Sequence, residues 1–97
     1  MSAIRVDEGR KNLILKLISF LDHEGIDAGH AMRFVKAGEF GLSFQEIFFA
    51  AKSNERAFLR LLEPLKELNM FFAQDQYLAK HCGFPLDFPA FHRPPES

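Results

Sequence analysis

Ninety-seven residues, 47% of them hydrophobic, make one domain around one core and exclude both a second domain and intrinsic disorder. The net charge of −1, from 12 basic and 13 acidic residues, leaves no basic stripe of the kind that binds nucleic acid. No apolar run reaches membrane-spanning length, MSAIRVDEGRKN lacks the n- and h-regions of a signal peptide, and the lone Cys82 forms no internal disulfide. The expectation is therefore a cytoplasmic protein with no membrane partner.

The first helix is predicted from Asp7 to Glu24, with acidic residues in its opening turn and Gly25 as its left-handed stop. Leu13, Ile14, Leu17, Ile18, Phe20 and Leu21 cover an arc of about 160°, and Leu15 lies just beyond it. So broad a face implies two or more neighbours. Asn12, Lys16, Ser19 and His23 form the polar strip.

Asp27 is placed to cap a short second helix ending near Ala37, whose stripe of Ala28, Ala31, Met32 and Val35 permits close approach. Gly38 closes it, and Glu39-Phe40-Gly41-Leu42 reads as a turn. Ser43 and Glu46 stand in capping-box spacing, so the third helix is expected from Ser43 to Lys52. Its core face is Phe44, Ile47, Phe48 and Ala51, while Phe49 points elsewhere.

Ser53 or Asn54 can cap a fourth helix bearing Phe58, Leu61, Leu62 and Leu65. Pro64 predicts a kink, or a restart capped by Glu63. The pattern resumes at Leu68 and Phe72, a break is expected over residues 69–74, and a last short helix spans Asp75 to Cys82 before Gly83. The final stretch, GFPLDFPAFHRPPES, holds four of the five prolines and four large apolar residues, Phe84, Leu86, Phe88 and Phe91. It is expected to lie extended along the bundle over residues 84–91 and to fray over 92–97. The fold class is all-α: a small bundle of four to five helices in residues 1–83, with a proline- and phenylalanine-rich tail in 84–97. Twelve Phe are too many for one small core, so some are expected to face a partner.

Nothing in this pattern converges on chemistry. His81 and Cys82 are neighbours on a helix and diverge by about 100°. His23, His30, His81 and His92 show no metal-ligand spacing, and no strand precedes the glycines of residues 38–41. The helix after that turn offers Gln45, Glu46 and Lys52 without a basic surround, which argues against DNA reading. No catalysis, metal or cofactor is expected. Acidic residues gather at the first two joints: Asp22, Glu24 and Asp27 at one, Glu39 and Glu46 at the other. Asp27 and Glu46 have cap duties on this reading, whereas Asp22, Glu24 and Glu39 are free to form an acidic rim. Lys52, Arg56 and Arg60 form a basic row if the third and fourth helices are nearly continuous, with Arg60 spaced to meet Glu63.

Around Gly38-Glu39-Phe40-Gly41-Leu42 the chain resembles the MafI-type immunity proteins of bacterial polymorphic toxin systems. Val35 and those five residues carry the match, Glu46 to Phe48 extend it, and the helical pattern follows across residues 13–72. The resemblance implies a cytoplasmic inhibitor that occludes a cognate protein toxin, often a basic nuclease, with no chemistry of its own. Glu24, Glu39, Phe40, Glu46 and Phe49 are the expected partner-binding residues. Aromatic anchors would supply affinity there, and carboxylates orientation and on-rate. The alternative is a non-catalytic structural or assembly subunit that self-associates, as a homodimer for instance, through its surplus phenylalanines.

Overall fold

The computed structural model describes residues 5–89, and within them the chain is helical with no strand. Six segments follow one another: α1 (Glu8–His23), α2 (Ala31–Lys36), α3 (Phe40–Lys52), α4 (Glu55–Arg60), α5 (Leu62–Ala73) and α6 (Gln76–His81). That is one more than expected, because the fourth helix is split at Leu61.

Helix α1 starts and stops where local chemistry says it should. Asp7 Oδ1 accepts the Arg10 backbone N–H at 3.1 Å, a standard N-cap. At the other end Ile26 N–H reaches Leu21 O and Gly25 N–H reaches Asp22 O, the paired bonds of a Schellman cap. Arg10 also lays its guanidinium over the Phe71 ring, 4.1 Å from the centroid, which ties the start of α1 to α5.

Helix α2 begins later than Asp27. The Asp27 carboxylate instead accepts the Gly29 N–H at 2.8 Å, a side-chain turn two residues on. Gly29 then takes a left-handed φ of 62°, which no helix can continue, so α2 starts only at Ala31. It ends in a second Schellman cap, with Glu39 N–H to Phe34 O at 2.8 Å and Gly38 N–H to Val35 O at 3.0 Å.

That cap delivers the chain directly into α3. Glu39 is already its N-cap residue, and Phe40, Gly41 and Leu42 form its first turn instead of a connecting loop. The Ser43–Glu46 capping box is therefore not made. Ser43 is buried inside the helix, and its hydroxyl donates to Ala31 O at 2.8 Å, binding α3 to α2. Ser43→Ala should cost about 1 kcal/mol by chemical denaturation, the ordinary net worth of one hydrogen bond. Glu46→Ala should cost less; the reverse order would restore the capping-box reading. Gly41 faces α6 so closely that a Cβ there would stand 2.6 Å from Leu78 Cδ1. Its lack of a side chain leaves room for Leu78.

Asn54 caps α4, accepting the Ala57 N–H at 3.1 Å. Its extended backbone turns the chain between α3 and α4, so Lys52 is not in one continuous helical row with Arg56 and Arg60. Pro64 does force a restart, but Leu61 occupies the N-cap position and no side chain caps it, so Glu63 has no such role. A proline ring strikes the carbonyl four residues back, which places the opening next to Arg60. Glu63 pairs with Lys66 at 3.8 Å instead of with Arg60. Helix α5 then runs unbroken to Ala73, through the segment expected to interrupt it. Its polar Asn69 is satisfied by a distant partner, so it gives the helix no reason to end. Asp75 caps α6 by accepting the N–H groups of Tyr77 and Leu78.

The core is centred on α3. Phe44, Ile47, Phe48 and Ala51 are all fully buried against Ile14, Leu17 and Leu21 of α1, Phe58 of α4, and Leu65, Leu68 and Phe72 of α5. The segment after Gly83 adds to it: Phe84 and Leu86 are buried, and Phe88 sets its ring edge-on to Phe48 and Phe58 at 5.2 and 5.5 Å. The extended tail therefore packs on the bundle as far as residue 89. Phe91 and the expected fraying over 92–97 lie outside the described residues. Among those that are described, Phe49 is the one exposed phenylalanine; Phe34 is half-buried outside the core cluster, and the other described phenylalanines belong to the core or pack against it.

Candidate functional site

The outer face of α3 is set by helical geometry once its inner face is buried. Leu42, Glu46 and Phe49 fall within an arc of about 60°, and Glu39 stands at the head of that face. Phe49 is 50% exposed, rests edge-on against Phe48 at 6.0 Å, and has the Lys52 ammonium 5.8 Å from its ring centre. Glu39 makes no side-chain cap bond although it holds the N-cap position, so its exposed carboxylate has no duty in the helix. Phe40 is separated from this set. It lies nine residues before Phe49, hence on the opposite side of the helix, and packs half-buried against the core. Glu24 closes α1, its N–H bonded to Phe20 O, with its side chain exposed. Three of the five expected contact residues, Glu39, Glu46 and Phe49, thus share one surface; Glu24 stands on another element and Phe40 points away.

A second feature lies beside this face and was not anticipated. Leu15, Ile18, Ser19 and Asp22 stand at i, i+3, i+4 and i+7 on α1, and together they form one wall of a groove of about 390 Å³. Ile26, held in place as the last residue of the Schellman cap, and the 40% exposed Met32 form the other wall. Asp27, Ala28 and Gly29 complete the lining. The signal for this groove is present in the sequence as the excess width of the α1 apolar arc. Ser19 and Asp22 hide it, because a polar residue at the edge of a stripe reads as solvent-facing.

A Cβ on Gly29 would stand 3.1 Å from Glu46 Oε2, which places that carboxylate beside one of the groove's lining residues, although Glu46 does not itself line the groove. None of Asp22, Glu24, Asp27, Glu39 and Glu46 forms an ion pair among the described residues. The groove lining contains no Lys or Arg.

Elsewhere the titratable residues do not assemble. His81 lies against Tyr77 with ring centres 4.7 Å apart, and Cys82 is half-buried, its carbonyl accepting from Gln45 Nε2 at 2.9 Å. Among the described residues no three His, Cys, Asp or Glu are arranged to hold a metal ion, and no helix is long and apolar enough to cross a membrane. Compared with known protein families, with curated proteins and with solved structures, the chain gives no significant match.

Proposed function

We propose that the protein is a non-catalytic inhibitor of the immunity type, which binds a cognate bacterial toxin in the cytoplasm and occludes it. The observation that carries this reading is the outer face of α3. It presents one half-exposed aromatic ring, Phe49, beside two carboxylates, Glu39 and Glu46, that serve no ion pair within the described chain. An aromatic side chain that is not needed in the core is the usual anchor of a protein interface. Unpaired carboxylates around it favour a basic partner and speed its approach, as a nuclease-type effector would require. The resemblance at residues 38–42 supports the same reading, since that segment forms the junction that starts this face. The rival, self-association through surplus phenylalanines, has fewer rings to draw on, since among the described phenylalanines only Phe49 is exposed and Phe34 stands half-buried outside the core.

The test is co-expression with the product of the neighbouring gene, followed by co-purification and growth assay. A stable complex, with growth arrested when the neighbour is expressed alone, is the expected outcome. Phe49→Ala should then weaken the complex by about 2 kcal/mol, roughly thirtyfold in Kd, while changing the fold's stability by less than about 1 kcal/mol. No complex, together with a self-associated species by light scattering, would sink the inhibitor reading in favour of an assembly subunit.

A further inference from the structure

We propose that the groove between α1 and the α1–α2 joint is the docking site for a basic amphipathic segment of a protein partner. An aliphatic side chain of that segment sits between Ile18, Ile26 and Met32, and flanking Lys or Arg side chains meet Asp22 and Asp27. The inference deepens the inhibitor reading, on which it rests for the partner's being a toxin.

Two independent observations support it. The first is apolar surface left over by the bundle: Leu15 and Ile18 project from α1 beyond the Ile14–Leu17–Leu21 seam, and Met32 is 40% exposed across from them. Apolar walls of this kind, rimmed by polar groups, mark sites of association. The second is charge. The lining carries carboxylates from Asp22 and Asp27, the Glu46 carboxylate stands beside Gly29, and no Lys or Arg lines the groove. An acidic or neutral occupant would leave those carboxylates uncompensated as water is displaced, whereas a Lys- or Arg-flanked segment neutralises them. One Asp27 oxygen is already engaged by Gly29 N–H, which fixes the carboxylate in the groove's lining. Asp22, for which the helix itself has no use, acquires a role as the rim charge nearest α1's last turn.

The probe is a short synthetic helix of leucine and lysine, titrated into isotope-labelled protein and followed by amide chemical shifts. Shifts confined to residues around Leu15, Ile18, Asp22, Ile26 and Met32 are expected, with binding weakened by added salt. Asp22→Lys, an exposed change that spares the core, should weaken binding about tenfold, and a peptide with glutamate for lysine should not bind. Equal binding of both peptides, shifts centred elsewhere, no change with Asp22→Lys, or no binding at all would each overturn the proposal. Broadening that depends on protein concentration without peptide would assign the groove to a second copy of the chain and overturn it as well. The two readings fail separately. If the neighbouring gene product co-purifies with the Asp22→Lys variant as tightly as with wild type, the groove is refuted and the inhibitor reading stands. If the lysine peptide docks as described but no neighbour complex forms, the groove is supported and the toxin reading falls.

Discussion

Phe44→Ala is expected to lower the stability of the fold by about 3–5 kcal/mol. The residue is fully buried where three elements meet: its ring lies 6.1 Å from Phe48 on α3, 5.7 Å from Phe72 on α5, and 6.1 Å from Phe84 in the tail. Truncation removes the transfer free energy of a whole aromatic side chain. It also leaves a cavity whose walls, two helices and the packed tail segment, cannot fully close. A domain of this length has a total stability of roughly 5–15 kcal/mol, so the variant sits near the threshold of folding. Denaturant unfolding with an unchanged slope and a much lower midpoint is the signature. Phe49→Ala, the same chemical change on the same helix, supplies the control. If the two variants lose similar stability, the assignment of inner and outer faces of α3 is wrong.

The second large effect is expected from Asn69→Ala. Asn69 lies buried in α5 and holds the tail with both ends of its amide. Its Oδ1 accepts the Leu86 N–H at 2.7 Å and its Nδ2 donates to Leu86 O at 3.0 Å. Alanine would leave a buried backbone donor and a buried acceptor without partners, at about 1–3 kcal/mol each. The chain limits that cost by releasing residues 84–89 to water, which gives up the burial of Phe84 and Leu86 instead. Loss of about 2–4 kcal/mol is expected by either route. Hydrogen exchange separates them from a general weakening: the Leu86 amide should lose its protection while amides of α3 keep theirs. Uniform loss across the bundle would mean that the clamp is part of the core's own cooperativity, and not a latch for the tail.

These two experiments bear on function as well as stability. The α3 face presents Phe49, Glu39 and Glu46 only because Phe44, Ile47 and Phe48 hold the helix at a fixed rotation. The proposed partner contacts are therefore rigid-scaffold contacts, and a variant that loosens the core should weaken binding without touching the interface. Asn69→Ala, acting at the tail, should leave the proposed partner complex close to wild type, whereas Phe49→Ala and Asp22→Lys should not.

Much of the helical plan is legible in the chain itself. Asn54 caps α4 as one of the two expected candidates, Asp7 and Asp75 stand at the expected starts of α1 and α6 and prove to be their caps, and the Schellman stops at Gly25 and Gly38 follow from their positions after an apolar stripe. The stripe of α3 identifies its buried face correctly. What fails is instructive. Ser43 and Glu46 carry a sound capping-box signal, and Asp27 a sound cap signal, yet both lose to a competing arrangement nearby. The Schellman turn at Gly38 puts Glu39 at the N-cap before Ser43 is reached. The left-handed Gly29 delays α2 beyond Asp27. Among the expected contact residues, Glu39, Glu46 and Phe49 come together on one surface. Phe40 does not, because starting the helix at Phe40 turns its ring toward the core.

The all-α class, both ends of α1 and α6, and the buried stripes of α1, α3 and α5 could be read from the chain, whereas Met32 of the expected α2 stripe is exposed and the starts of α2 and α3 differ. The legible features depend on hydrogen bonds and side-chain spacings that close within a turn or two of the chain. Tertiary structure alone decided the rest. Ser43 bonds a carbonyl 12 residues away, Asn69 a segment 17 residues away, and Gln45 one 37 residues away. Gly41 leaves room for a leucine of another helix, and the groove exists only where α1 meets the joint and α2. A polar side chain in a helix reads as exposed until the element that uses it is in place, because local spacing carries no record of which distant backbone group will need a partner.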